Sequence, residues 1–408
     1  MWLALSYVLG LALIVGSVYG TSLPAWLKPV HVHGALAGGI LQLTMGGLLL
    51  ALWKSSARKE SPVDSRPVLF LTINGGTVGV LVSLWLGNST LAGIAGLLLI
   101  GAVLSLFKPA WSLTTAASSP PGAGWLYRIA FGALVGGLMA GTAMAFRLTD
   151  GYHAHTRLAH IHLIVLGFGT LTFLVAVHQL LPLLLRTPLV LGATGRLALW
   201  VLPAGFAVLV GGFLTSTIWL EIAVGCLLLA GITVCIVQLL VTWLKAGSGG
   251  TAATDHLLIG VFFLVLTAAA GVVMAGNYLR NPPFLPIGSL HLTAYTHLAF
   301  IGFFTQVTCG CLSYFVPELL AASRVQNTAK REVYRAQLDA VMDRWRAVQL
   351  AGMSLGTMAL CALASLTWSM PLGSAYVQGA VWIASALLVV SLTLFVAKLA
   401  WAVGLRPS

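Results

Sequence analysis

Apolar stretches of about twenty residues recur along the whole chain, and this feature limits its fold more than any other. A helix needs about 20 apolar residues to cross the hydrocarbon core of a bilayer. The 408 residues are 59% hydrophobic and only 7% charged, whereas soluble domains carry about 25% charged residues. We therefore predict an all-α integral membrane protein, a single membrane domain over residues 1–408. Its twelve predicted spans are residues 3–20, 34–53, 67–86, 90–107, 129–146, 158–185, 197–215, 219–243, 257–276, 291–316, 347–368 and 375–401.

The net charge of +12 is distributed unevenly between the two sides of the predicted bundle. Of the 21 Lys and Arg residues, seventeen, Lys398 among them, follow even-numbered spans or lie at the C-terminus. The other four are Lys28, Arg147, Arg157 and Arg280. Cytoplasmic loops of membrane proteins carry this excess of basic residues. The pattern predicts a multi-pass protein of the bacterial inner membrane with both termini in the cytoplasm. Its basic charge then needs no nucleic acid as a partner.

Three histidines begin the same short pattern. His33, His162 and His297 each have a glycine five residues later, and the last two also have a proline twenty residues later. The glycines are Gly38, Gly167 and Gly302, and the prolines are Pro182 and Pro317. The histidines lie 129 and 135 residues apart, which is four predicted spans each time. This spacing predicts three internal repeats of four helices, over approximately residues 1–128, 129–256 and 257–408.

Most of the ten histidines cluster at the predicted outer ends of spans 2, 6 and 10. They are His31, His33, His153, His155, His160, His162, His291 and His297. Ionisable residues in membrane helices are costly and point to function, and neutral imidazole binds haem iron, copper and zinc. A single interface histidine could simply hydrogen-bond to headgroups or water, but three clusters at matching positions favour cofactor ligation. Two residues of a His-x-His helix project about 200° apart, so one helix can serve two sites.

Two further features narrow the function. None of the nine Asp and Glu residues lies deep in a predicted span, and proton pumps and ion-coupled transporters usually carry buried carboxylates. We therefore predict that the protein does not pump protons. The predicted cytoplasmic loop 318–346 mixes charges with apolar side chains, which fits either a surface helix at headgroup depth or a solvated connector.

On these residues the chain resembles subunit I of the haem–copper oxidase superfamily, especially its C-type members, and the related nitric-oxide-response membrane proteins of the NnrS type. His160-Ile161-His162 carries the resemblance most closely, together with Gly167 and Leu181-Pro182. The resemblance implies twelve transmembrane helices in three quasi-repeats of four, with ligands on helices 2, 6 and 10. It also implies one or two haems, b-type by expectation, and leaves copper open.

Carried over by position, the resemblance makes His33 and His297 the two axial ligands of a low-spin haem. It places a copper-site ligand at His160 or His162, and adds His31 and His291 as further haem-binding candidates. His153 and His160, like His155 and His162, are seven residues apart and share a helix face if the helix extends that far, so these four form a candidate site for a second metal. The chain departs from the family in two places: span 7 has no histidine, and Tyr295 stands where the high-spin haem ligand is expected. A standard haem–copper centre is therefore not expected.

The expected function is that of a haem-binding protein of respiratory or nitrogen-oxide metabolism that moves electrons or handles a small gas. It would act alone or with other membrane or periplasmic redox subunits, and Arg147, Arg157 and Arg280 would pair with haem propionates. Two alternatives stay open. One is an atypical oxidase or nitric oxide reductase, which would make the chain an oxidoreductase. The other is a metal or haem transporter that uses the histidine clusters as a transit site.

Overall fold

The computed structural model describes residues 1–47, 66–107, 111, 123–190, 192–247 and 249–407. Within these ranges the chain forms helices and no strand. We number the α-helices in chain order as α1 Trp2–Val18, α2 Leu27–His33, α3 Arg66–Leu86, α4 Ser89–Ser105, α5 Ala123–Ala145, α6 His153–His162, α7 Leu171–Leu185, α8 Ala193–Thr215, α9 Ile218–Ala246, α10 Ala252–Asn277, α11 Ser289–His297, α12 Gln306–Arg324, α13 Thr328–Asp343, α14 Arg346–Leu366 and α15 Ala375–Gly404. Three eight-residue π-helical segments join α2, α6 and α11 to the helical residues that follow them, and they are Gly34–Leu41, Leu163–Thr170 and Leu298–Thr305.

Nine of the twelve predicted spans coincide with described helices that are long and apolar enough to cross a membrane. These helical stretches are Pro67–Leu86, Gly124–Ala145, Asp150–Leu185, Ala193–Thr215, Ile218–Ala246, Ala252–Asn277, Leu290–Arg324, Arg346–Leu366 and Ala375–Gly404. The prediction of a helical membrane protein is confirmed. Helices also lie at the first, second and fourth predicted spans, but α1 and α4 have only 17 residues each. The end of the second span, residues 48–53, lies outside the described residues, so the count of twelve stays a prediction.

The chain divides into two compact units. The first contains residues 1–179 and 193–231, and the second contains residues 180–192 and 232–408. Small residues allow close helix contacts within each unit, as is usual in membrane proteins. In the first unit, Gly96 of α4 lies against Thr142 of α5. In the second unit, Gly352 and Gly356 of α14 lie against α15.

Helix α13 lies inside the predicted 318–346 loop. The Asn327 side chain caps it by accepting a hydrogen bond from the Lys330 amide at 3.1 Å. Its buried face consists of Tyr334, Leu338, Val341 and Met342. The amphipathic helix is therefore present, while its depth at the headgroups stays a prediction. Asp339 lies on the less buried side of this helix. Its partial burial raises the pKa of its carboxyl to about 6, although the positive charge of Arg335 lowers that pKa.

One set of hydrogen bonds ties α13 to the end of the chain. Arg324 donates to the Tyr334 hydroxyl at 2.8 Å and to the backbone carbonyls of Leu405 at 2.7 Å and Val403 at 2.8 Å. Tyr334 in turn donates to the Leu405 carbonyl at 2.7 Å. These bonds satisfy the last carbonyls around the end of α15, which a helix leaves without partners of its own.

Candidate functional site

The three histidines of the repeated pattern share one local structure. His33, His162 and His297 each end an α-helix, and a π-helical segment of eight residues begins at the next position. π-Helical segments are rare and occur frequently at functional sites. The sequence pattern thus corresponds to a shared backbone feature. The repeat boundaries themselves stay a prediction.

A backbone carbonyl holds the ring of each of these histidines. The Nδ1 atom lies 2.8 Å from the carbonyl oxygen four residues earlier in His33 and His162, and 2.7 Å from it in His297. Because a carbonyl can only accept, Nδ1 carries the hydrogen and the lone pair of the neutral ring is on Nε2. Metal-ligating histidines typically have this arrangement, in which the second nitrogen donates to a carbonyl. All three rings are half-buried.

The first histidines of the two His-x-His pairs are held from a neighbouring helix instead. His31 places Nδ1 2.6 Å from the carbonyl oxygen of Ser6 on α1, and His160 places Nδ1 2.7 Å from that of Gly137 on α5. Both therefore have the same tautomer as His33, with the lone pair on Nε2.

A glycine lies against each of these two rings. Gly10 follows Ser6 by four residues, and Gly141 follows Gly137 by the same number. A Cβ atom at either glycine would lie 2.8 Å from the Cε1 atom of the facing ring, which is His31 or His160. The two contacts are equivalent, and each provides room for one imidazole.

Tyr295 lies two residues before His297, as His31 and His160 lie two residues before His33 and His162. Its ring lies against Gly271 of α10, where a Cβ atom would come 3.2 Å from the hydroxyl oxygen. The second unit therefore has the same glycine contact with a phenol in place of an imidazole.

The four predicted metal histidines are on one helix but are not gathered into a cluster. Helix α6 begins at His153, so the seven-residue pairs do share a face. His153 is exposed, the His155 ring lies 3.2 Å from the Ser216 hydroxyl, and the His162 ring lies 4.3 Å from that of Phe213. Across the described ranges, no three His, Cys, Asp or Glu side chains come together in a way that could hold a metal ion. The second metal and the copper stay predictions from the sequence.

His291 differs from the other candidate ligands. Its Nδ1 accepts a hydrogen bond from the Gly288 amide at 3.2 Å, so the hydrogen of the neutral ring is on Nε2. The ring stacks on Trp368 with 5.0 Å between centroids. In this tautomer His291 presents no lone pair at Nε2, and ligation there would require the proton to move.

The three predicted propionate partners are all exposed. Arg147 forms an ion pair with Asp150 at 3.7 Å, and the guanidinium of Arg280 lies 5.8 Å from the Phe284 ring centroid. Arg157 lies on α6 between the two halves of the histidine cluster. Their role beside a haem stays a prediction.

His178 is a candidate ligand that sequence reasoning left outside the site. It lies buried in α7 with Nδ1 2.7 Å from the Leu174 carbonyl oxygen. Its Nε2 is buried and has no hydrogen-bond partner in the described part of the chain. The same i to i−4 bond occurs in His33, His162 and His297, but His178 lacks the glycine pattern that pointed to those residues.

Lys398 corrects one assignment made from the sequence. We counted it among the basic residues that flank spans, but it lies inside α15 and only 2% of it is exposed. Its Nζ donates to the Gln349 side-chain oxygen at 2.7 Å and to the Met342 carbonyl at 2.9 Å. Buried acceptors thus hold the ammonium within the second unit.

The same network continues from Gln349 to a buried histidine. The Gln349 amide nitrogen lies 2.9 Å from Nε2 of His256, and His256 Nδ1 lies 2.5 Å from the Gln306 side-chain oxygen. Gln306 donates in turn to the Ser354 hydroxyl at 3.2 Å. The sequence signal that could have predicted this network is the presence of Lys398, Gln349 and Gln306 inside apolar stretches.

No protein-family model and no curated protein matches the chain. The fold is that of a helical membrane protein. Its three repeated histidines, His33, His162 and His297, each donate the Nδ1 hydrogen to a backbone carbonyl and so share one tautomer. The resemblance to haem–copper oxidase subunit I therefore rests on the histidine pattern and the predicted spans alone.

Proposed function

We propose that this chain is a haem-binding membrane protein of respiratory or nitrogen-oxide metabolism that transfers electrons or handles a small gas. One observation carries the proposal. His33, His162 and His297 occupy equivalent positions before a π-helical segment, and each donates its Nδ1 hydrogen to the carbonyl four residues earlier.

The residues fit a haem better than a metal ion with three or more protein ligands. A haem needs one or two axial imidazoles, and when bound it supplies a redox-active iron. The carbonyl bonds orient each ring, keep the lone pair on Nε2 and increase the basicity of that nitrogen. The half-buried positions of the rings limit the access of water.

The finer assignments of this proposal come from the sequence. They are axial ligation by His33 and His297, one or two b-type haems, and twelve spans with both termini in the cytoplasm of a bacterial inner membrane. Redox subunits in the membrane or periplasm are the proposed partners. His31 and His160 are further candidates because their rings have the same tautomer, and His178 joins them on the same ground.

Haem content after purification tests the proposal. The membrane protein is solubilised in mild detergent, purified, and assayed for haem per polypeptide by the absorbance of the pyridine complex. We expect at least one haem per chain, a loss of at least half of it in His33→Ala, and no loss in Gln326→Ala, which changes an exposed polar residue. Protein that is folded but free of haem after expression with ample haem would contradict the proposal and favour the transit-site alternative.

A further inference from the structure

An exposed arginine and two exposed tryptophans meet at one end of the second unit. Arg344 and Trp345 connect α13 to α14, and Trp401 lies three residues before the end of α15. The Cζ atom of Arg344 lies 4.5 Å from the ring centroid of Trp345 and 5.0 Å from that of Trp401. The two tryptophans are 54% and 43% exposed. We call these three residues the Arg344 cluster.

In the described part of the chain, Arg344 has no carboxylate partner. Among the residues that the structure describes, Arg346 pairs with Asp255 at 3.5 Å and Arg335 pairs with Glu318 at 2.5 Å. No such ion pair includes Arg344 within the described ranges. The two rings attract the guanidinium through their π-systems, and this contact leaves its N–H groups available as donors.

The Arg344 cluster lies where apolar helices end. Helix α14 begins at Arg346 and α15 ends at Gly404, and both are apolar and long enough to cross a membrane. Tryptophan is enriched at the level of the lipid headgroups because its ring is apolar and its N–H is polar. Trp345 also adopts a left-handed backbone conformation with φ of 53°, which turns the chain from α13 into α14.

We propose that the Arg344 cluster binds the headgroup of an anionic phospholipid. A guanidinium can donate two parallel hydrogen bonds to a phosphate, and the indole N–H groups of the two exposed tryptophans can donate to other headgroup oxygens. A lipid with net negative charge compensates Arg344, whereas a zwitterionic lipid brings its own cation to the same place. The predicted topology puts this end of the molecule in the cytoplasmic leaflet, where anionic lipids concentrate.

Lipid retention measured by native mass spectrometry tests the proposal. Protein in neutral detergent is titrated with phosphatidylglycerol or with phosphatidylcholine of the same acyl chains. We expect the wild type to prefer phosphatidylglycerol, and Arg344→Gln to weaken the tightest phosphatidylglycerol site by about tenfold. Arg344→Lys should lose most of the same affinity, because an ammonium cannot form the bidentate contact. Arg331→Gln is the matched control, since it removes one basic charge from α13 away from both rings.

Three results would overturn the proposal. The first is a wild type that binds the two lipids equally. The second is an equal loss of phosphatidylglycerol in Arg344→Gln and Arg331→Gln, which would show a general charge effect. The third is complete competition by millimolar inorganic phosphate, which would show a site for the free anion. Thermal unfolding of each variant without added lipid separates these results from misfolding.

Discussion

At the scale of single residues, two glycines determine how two candidate ligands are held. Gly10 and Gly141 have no side chain where the rings of His31 and His160 approach, and a Cβ atom would come within 2.8 Å of either ring. Each ring is also fixed by its hydrogen bond to a carbonyl on the helix of the glycine, one turn before that glycine. The ring therefore cannot move away from an added methyl group without losing that hydrogen bond.

Gly141→Ala should destabilise the protein by about 1–3 kcal/mol through overpacking against His160. Gly132→Ala provides the control on the same helix, because nothing lies within 4 Å of the added Cβ and alanine favours a helix over glycine by about 0.5–1 kcal/mol. Thermal unfolding in detergent should give shifts of opposite sign. Equal shifts would show that the ring of His160 does not occupy the described position.

The buried network around Lys398 is the second feature at this scale. A charged side chain inside a membrane helix is expensive unless its donors have acceptors, and Gln349 supplies one of the two acceptors that contact Lys398. The same glutamine also donates to His256. Two buried partners therefore depend on one side chain that is 1% exposed.

Gln349→Leu should lower the free energy of unfolding by about 3 kcal/mol, since it removes a hydrogen bond to a charge and takes one of the two buried hydrogen-bond partners from both Lys398 and His256. Gln337→Leu makes the same chemical change on the exposed side of α13 and should shift stability little. Denaturation in mixed micelles measures both. A variant Gln349→Leu as stable as Gln337→Leu would refute the network.

The equivalence of three histidine positions could be predicted from the sequence, but the hydrogen-bond partners of the side chains could not. The spacing of His33, His162 and His297 indicated a shared role, because repeats preserve offsets. The assignment of Lys398 to a flanking position was wrong, because composition cannot show which face of an apolar helix is turned inward. The tautomer of His291 was equally invisible, since it depends on the amide of Gly288.

At the scale of elements, the π-helical segments are the least expected feature. The side chains of Thr170 and Thr305 end the second and third segments, and each donates to the carbonyl five residues earlier, at 3.0 Å and 2.7 Å. This spacing matches the i to i−5 pattern of a π-helix. The first segment ends at Leu41, so its π-helical turn forms without such a bond.

Thr170→Val should destabilise the protein by about 1 kcal/mol, the usual contribution of one hydrogen bond. Thr172→Val is the matched control two residues later. The Thr172 hydroxyl is buried without a partner in the described part of the chain, so its removal should leave stability unchanged or raise it. Chemical denaturation that ranks the two variants in the reverse order would contradict the π-helical bond.

Apolar length predicted where helices lie, but it could not predict their internal geometry. Each predicted span coincides at least in part with a helix because about twenty apolar residues can satisfy their backbone in a bilayer only as a helix. A π-helical turn depends on packing around a few residues and leaves no periodic signal. A surface helix was one of two interpretations of the 318–346 loop, based on its charged residues and its apolar Val333, Leu338, Val341 and Trp345. The buried face of α13 includes Leu338 and Val341, whereas Val333 and Trp345 are exposed.

At the scale of the whole molecule, topology decides which membrane face carries the histidines. The uneven distribution of Lys and Arg predicts that α13 and both termini face the cytoplasm, and burial of Lys398 reduces the flanking basic residues on that side to sixteen of the twenty that remain. The bias persists after this correction. The histidine clusters at the predicted outer ends of spans 2, 6 and 10 then face the periplasm.

Reporter fusions test this topology. Alkaline phosphatase, which is active only after export, should be inactive when fused at residue 330 and active when fused at residue 151, between α5 and α6. Green fluorescent protein should show the opposite pattern. Export of the fusion at residue 330 would reverse the topology and move the histidine clusters to the cytoplasmic side.

Electron paramagnetic resonance of the oxidised, purified protein tests most directly whether the histidines held by backbone carbonyls ligate a haem. Two axial imidazoles give low-spin ferric iron, so the wild type should show a low-spin spectrum. His33→Ala and His297→Ala should each convert that signal to high spin or abolish it, whereas Gln326→Ala should leave it unchanged. A low-spin signal that persists in both histidine variants would show that other residues ligate the iron. A wild-type protein with no haem iron signal and no haem absorption would contradict the account.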